Sequence, residues 1–157
     1  MKELTTAKRM LWFFGLFKIP LIGYVRPQLL ELSEAKMVIK VPLRRRTKNH
    51  LGSMYFGALA IGADLAGAFQ AFYIAKKSNS KLSIVFKNFE AEFIKRPESD
   101  VFFVSEDGML IEDMISESKK REERITRNIT INAYTQYPNN PERIANFVLG
   151  LSVKHKQ

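Results

Sequence analysis

Apolar and polar residues alternate cleanly from Lys36 to Leu43, with Met37, Ile39, Val41 and Leu43 on one face and Lys36 and Lys40 on the other. A period of two marks a half-buried strand. The polar run Arg44 to Asn49 then reads as a loop. From Tyr55 to Lys76 the chain is apolar, free of proline and too long for a strand, which predicts a buried helix. Lys81 to Lys95 predicts a second strand, with Leu82, Ile84 and Phe86 on one side and Val85, Phe89, Ala91 and Phe93 on the other. Arg96 to Ser99 reads as a turn and Val101 to Ser105 as a short strand. Asp107-Gly108 signals another turn, followed by a short helix around Ile111 to Ser118. Ile125 to Gln136 alternates again, Tyr137 to Pro141 turns the chain, and Arg143 to Lys154 predicts the last strand.

Met10 to Val25 is rich in Leu, Phe, Trp and Ile, yet it contains Lys18 and Pro20 and falls short of the roughly 20 residues that cross a bilayer. No small-x-small cleavage pattern follows it. It predicts an N-terminal helix, within a helical segment at about residues 3–25, packed on the domain and ended by Pro20. Interfacial contact with a membrane, or a lid over a ligand cavity, is its alternative use. The expected order is helix, strand, long helix, then four strands separated by turns. Strands joined by turns make a mainly antiparallel sheet, and one long apolar helix covers one of its faces. The fold class is α+β, in a single domain over 1–157.

The composition narrows the chemistry. The chain has no cysteine, which removes disulfides, thiolate metal sites and cysteine nucleophiles. Its two histidines, His50 and His155, make neither a metal cluster nor a Ser-His-Asp triad an expectation. Carboxylates, hydroxyls and backbone donors are left, and neither a metal nor a cofactor is expected. The formal net charge of +9 suits a polyanionic partner or simple solubility. Lys36, Lys40, Arg44, Arg45, Arg46 and Lys48 bring part of that charge directly up to the apolar helix. The chain reads as cytoplasmic.

One residue breaks the apolar pattern of the long helix. Asp64 sits among Gly and Ala, although Asp is a poor helix former and its ionised side chain is costly to bury without a partner. On a wheel of 3.6 residues per turn, Gly57, Ala60, Ala68 and Ala71 share its direction, flanked by Gly67 and Ile61. The bulky Tyr55, Leu59, Phe69 and Tyr73 lie opposite. Such a stripe leaves room beside a carboxylate for a substrate. It equally suits close packing on a sheet, with Asp64 bonded to a neighbour such as Arg127. Gly52-Ser53, just ahead of the helix, leaves backbone N–H groups that suit an oxyanion, and Ser53 reads as the helix N-cap.

Asn49, Gly52, Gly57 and Asp64 together resemble the hot-dog-fold acyl-CoA thioesterases, particularly the phenylacetyl-CoA and hydroxybenzoyl-CoA types. That family pattern has Asn-x-x-Gly, a His-Gly-Gly-like triplet opening the central helix, and an acid further along it. Tyr55 stands where the family often has His, and Phe56 replaces the first Gly of the triplet. The sequence is most similar to small bacterial hot-dog proteins with an Asn-His-x-Gly-Ser opening. The resemblance implies an antiparallel sheet wrapped around a long central helix, here with an extra N-terminal helix. It implies a homodimer or dimer of dimers with sheets joined edge to edge and the thioester between subunits.

By the same resemblance, the Gly57 N–H polarises the thioester carbonyl, Asp64 acts as base or nucleophile, and Asn49 positions the water or the acid. His50, Gly52, Ser53 and Tyr55 would line the substrate. Either Arg44, Arg45 and Arg46 or Lys119, Lys120 and Arg121 would meet the phosphates of coenzyme A, which enters only as part of the substrate. The partner expected is therefore a small-molecule acyl thioester, with no nucleic acid and no stable membrane insertion. A non-catalytic acyl- or lipid-binding protein on the same fold is the alternative. A nucleic-acid binder ranks last, for want of an interleaved basic and aromatic motif.

Overall fold

The computed structural model describes residues 2–156. Its elements run α1 (Lys2–Phe13), a π-helical turn (Phe14–Lys18), α2 (Pro20–Val25), β1 (Gln28–Leu32), β2 (Met37–Val41), α3 (Phe56–Lys77), β3 (Lys81–Phe93), β4 (Val101–Ser105), α4 (Gly108–Arg121), β5 (Ile125–Thr135) and β6 (Glu142–Lys156). The six strands form one sheet in the order β1-β2-β4-β5-β6-β3, with every neighbouring pair antiparallel. α3 lies across the sheet, touching β2, β4, β5, β6 and β3, while α4 packs on α3 and on β5 and β6. This is the expected α+β, hot-dog arrangement of an antiparallel sheet around a long helix.

Small residues set how closely α3 approaches the sheet. A Cβ at Gly62 would collide with the Phe103 ring of β4, and one at Gly67 would meet Ile129 Cδ1 of β5 at 2.6 Å. Phe103 in turn lies against Phe147 of β6, with ring centroids 6.1 Å apart, and both rings are fully buried. Each such ring removes a large apolar area from water, so this aromatic layer under the helix contributes much of the core. Gln70, also fully buried on α3, accepts a 2.6 Å hydrogen bond from the Ser105 hydroxyl and ties the helix to β4. α3 is long and apolar enough to cross a membrane, but most of it is buried inside the fold. Here the apolarity serves a core helix.

The structure departs from the sequence expectations at the N-terminus. The helical run that begins with α1 stops at Lys18, ahead of Pro20 as expected, but Pro20 also starts a second helix, α2, where its missing N–H costs nothing in the first turn. The chain reverses between α1 and α2 because Gly15 and Gly23 touch through their backbones. A second difference is β1, a short bulged strand the alternation did not reveal, so two strands precede α3. α4 is also longer than the expected helix, and α3 begins at Phe56.

Candidate active site

The segment between β2 and α3 is held by its own side chains. Thr47 is buried; its Oγ1 donates to the Pro42 carbonyl at 2.8 Å and accepts from the Arg44 amide at 2.9 Å. Asp100 fixes the entry of this loop, accepting from the Leu43 amide at 2.8 Å and pairing with Lys40 Nζ at 2.7 Å. Asn49 closes the next turn. Its Oδ1 accepts from the Leu51 amide at 2.9 Å and from the Ser53 amide and hydroxyl, both at 3.2 Å. Gly52 takes φ +80 inside that turn, a left-handed conformation that L side chains rarely adopt. His50 is exposed.

Ser53 is therefore not the helix N-cap. Tyr55 occupies that position without a side-chain cap, and the buried Ser53 hydroxyl is turned back to Asn49 instead. The amides of Phe56 and Gly57 fall in the first turn of α3, where no carbonyl of the helix can accept them. The Tyr55 ring lies over the Cα of Gly57, so a Cβ there would meet Tyr55 Cε1 at 2.5 Å. This close approach accounts for the glycine. Tyr55 and Phe56 are both exposed, with ring centroids 4.8 Å apart.

Asp64 lies two turns further along α3. Gly57, Ala60, Ile61, Asp64 and Ala68 form the half-buried stripe of the helix, whereas Gly67 and Ala71 are buried. Arg127 does not reach the acid and pairs with Glu117 of α4. Among the described residues Asp64 has neither a cation nor a hydrogen-bond donor as partner. It opens into a cavity of about 340 Å³ walled by Phe14, Ile19 and Ile22 of the N-terminal segment, Leu65, Ala68, Phe69 and Phe72 of α3, and Leu82, Ile84 and Phe86 of β3. Burial among these apolar groups raises its pKa above the ordinary carboxylate value.

The structure thus divides the expected site residues among three places. Asn49, Gly52, Ser53, Tyr55 and Gly57 organise the start of α3, with His50 exposed on the loop. Asp64 lies in the apolar cavity. Arg44, Arg45 and Arg46 border an open cleft of about 720 Å³ with Arg26 and Tyr24. Arg46 donates to the Tyr24 carbonyl at 3.1 Å and sits over its ring. In the other basic cluster, Arg121 pairs with Glu117 and Glu123 at the end of α4. Arg26 and the N-terminal wall of the cavity escaped sequence reasoning; the one hint was the alternative use of Met10 to Val25 as a lid or a membrane contact. Among the described residues, no group of three or more His, Asp or Glu side chains could hold a metal ion.

A family model described as a domain of unknown function (DUF4442) matches residues 7–136. The chain belongs to the DUF4442 family. No curated protein matches its sequence. Solved structures match the DUF4442 chain nearly end to end. A candidate thioesterase from Shewanella oneidensis superposes with TM-score 0.79 at 14% identity, covering 98% of this chain and 97% of that one. A protein of unknown function from Chlorobaculum tepidum gives 0.81 at 12% identity, covering 99% and 100%. A thioesterase family protein from Silicibacter pomeroyi gives 0.68 at 14%, covering 98% and 99%. At such identities the likeness establishes the fold, and the chemistry has to be argued from this chain's residues.

Proposed function

We propose that this DUF4442 protein hydrolyses acyl thioesters, with acyl-CoA as the substrate class. The observation that carries the reading is Asp64, a carboxylate without a partner opening into an apolar cavity. Nothing in the fold requires an acid there, and its raised pKa suits a general base near neutral pH. The acyl chain occupies the cavity. Asp64 takes a proton from water, the water oxygen bonds to the acyl carbon, the carbon–sulfur bond breaks, and the thiolate leaves with a proton. The Gly57 amide, at the positive end of the α3 dipole, holds the oxyanion. Asn49 sets the turn that positions that amide, and Arg44, Arg45 and Arg46 hold the phosphates of CoA in their cleft.

One chain does not complete this site. Gly57 and Asp64 are seven residues apart on one helix, which separates them by about 10 Å along its axis. A donor and a base acting on one thioester carbon must both lie within hydrogen-bond reach of it. We therefore pair Asp64 of one subunit with the Gly57 amide of another, in a dimer joined along the free edge of β3. The similar thioesterase structures support thioester chemistry in general, and the apolar cavity supports an acyl group in particular.

Purified protein is assayed against a panel of acyl-CoAs beside Asp64→Asn. Hydrolysis is expected from the wild type, and a fall in kcat of about 10²–10⁴-fold from the variant with fold and oligomeric state kept. Wild-type rates in Asp64→Asn would remove the base. The position of the Tyr55 ring across Gly57 favours a second reading, an acyl-binding protein without turnover. Copurifying acyl groups with no cleavage of any thioester would establish that reading instead.

A further inference from the structure

Residues 2–26 build a helical hairpin whose tip is exposed. Gly15 packs on Gly23 with no room for a side chain on either, which folds α2 back on α1. The inner residues Ala7, Leu11, Ile22 and Val25 are buried in the core. At the turn, residues 16–21 are all exposed, Leu-Phe-Lys-Ile-Pro-Leu, and five of these six are apolar. Phe17 is 62% exposed, Leu21 61% and Trp12, one turn behind the tip, 67%. Phe13 joins them, its ring 4.8 Å from that of Phe17. Single exposed hydrophobic residues are ordinary on a soluble protein, but a contiguous apolar tip marks an interaction surface.

The charges around the tip indicate what covers it. Lys8 and Arg9 stand one turn before Trp12 and Phe13 on the same exposed side of α1, Lys18 is on the tip, and Arg26 closes α2. None of these four forms an ion pair among the described residues. Glu3 is the only acid in the first 26 residues. A two-fold contact of this face with the same face of a second copy would set these unpaired cations against each other. An exposed tip of Trp, Phe and Leu ringed by Lys and Arg matches the boundary of an anionic bilayer, where rings and methyls enter the acyl layer and cations meet phosphates.

We propose that this hairpin docks the protein peripherally on an anionic lipid surface. Phe14, Ile19 and Ile22 of the same segment wall the Asp64 cavity, so the docking element and the cavity wall are one piece of chain. The docking rests on the hairpin itself and does not depend on thioester hydrolysis. The cations recruit the protein to the surface, and Trp12, Phe17 and Leu21 retain it there.

Trp12 is the only tryptophan and reports on the tip directly. Full-length protein is titrated with phosphatidylcholine vesicles, and with the same vesicles carrying phosphatidylglycerol, at low and high salt, following tryptophan emission and cosedimentation. A blue shift and sedimentation are expected with the anionic vesicles, weaker by about tenfold or more with phosphatidylcholine alone and reduced by salt. Phe17→Glu with Leu21→Glu, both exposed positions, is expected to lower binding to anionic vesicles at least about tenfold with an unchanged melting temperature. Arg9→Glu with Lys18→Glu is the independent second variant, with the same expectation. Absence of a shift on anionic vesicles would overturn the proposal, as would undiminished binding by both variants. Trp12 already blue-shifted and shielded from a soluble quencher without lipid would also overturn it, since a protein surface would then cover the tip.

Discussion

Asp64 carries opposite signs for stability and for activity. Burial among apolar groups raises its pKa in the folded chain, so the native state holds the proton more tightly than the unfolded one. Between the ordinary carboxylate pKa and the raised one the folded state binds more protons, and stability falls as pH rises through that window. Above it the ionised carboxylate is a standing cost. Asp64→Asn, and more so Asp64→Leu, is therefore expected to raise stability at neutral pH by about 0.5–2 kcal/mol, with the gain shrinking as pH falls into the ordinary carboxylate range. Chemical denaturation at several pH values measures this. For the wild type, kcat/KM should fall on the acid side with an apparent pKa above that of a free Asp, because the base must be ionised. A variant both inactive and more stable is the signature of a residue kept for chemistry. The acid was legible in the sequence because it stands alone in a stripe of Gly and Ala. Its surroundings were not, because Phe14 and Ile19 meet it across some 45 to 50 residues of chain, a contact that no local periodicity encodes.

The two segments that flank α3, the loop ahead of it and the N-terminal hairpin, each carry an anchor whose loss can be measured. Burial pushes the Asp100 carboxyl up, but the Lys40 ammonium and the Leu43 amide outweigh it and hold its pKa below the ordinary value. The sign is thus the reverse of Asp64. Its contribution is present above the ordinary carboxylate pKa and is lost as pH falls through the lowered one. Asp100→Asn is expected to cost about 1–2 kcal/mol at neutral pH and to loosen the loop carrying Arg44 to Asn49, read as faster amide exchange over residues 43–53. In the hairpin, the Cβ of Gly23→Ala would be driven into the Gly15 carbonyl. That change is expected to cost about 1–3 kcal/mol in thermal or denaturant unfolding and to open the wall of the Asp64 cavity. β2 and β5 could be read directly from the alternation of the chain, although Val38 buries the second face of β2 as well. β1 could not, because its bulge between Leu29 and Glu31 breaks the period of two. Pro20 told only half of its story: it marks the end of the first helical run and also occupies the first turn of α2, which the Gly15–Gly23 contact folds back on α1.

At the scale of the molecule, the sheet is incomplete on one side. β3 is an edge strand, paired with β6 on one side only, and most of its residues are exposed. Along 13 residues it presents free backbone donors and acceptors, a template for pairing with another strand. The apolar side chains beside that edge point the same way. Phe89 and Phe93 lie against Phe147, on the face that α3 covers further along through Phe103, yet they remain 43% and 52% exposed. In the proposed dimer, a second copy joined edge to edge would continue the sheet and cover these rings. Light scattering is accordingly expected to give at least twice the chain mass. Phe89→Glu with Phe93→Glu places charges where the partner would pack and is expected to give a folded monomer. If the base and the oxyanion donor come from different chains, as proposed, that monomer should lose thioester hydrolysis as fully as Asp64→Asn, although its own Asp64 is untouched. Mixing it with Asp64→Asn should restore nothing, since neither chain then supplies both a base and an interface. A monomer that hydrolyses thioesters at the wild-type rate would place donor and base in one chain and end the two-chain site.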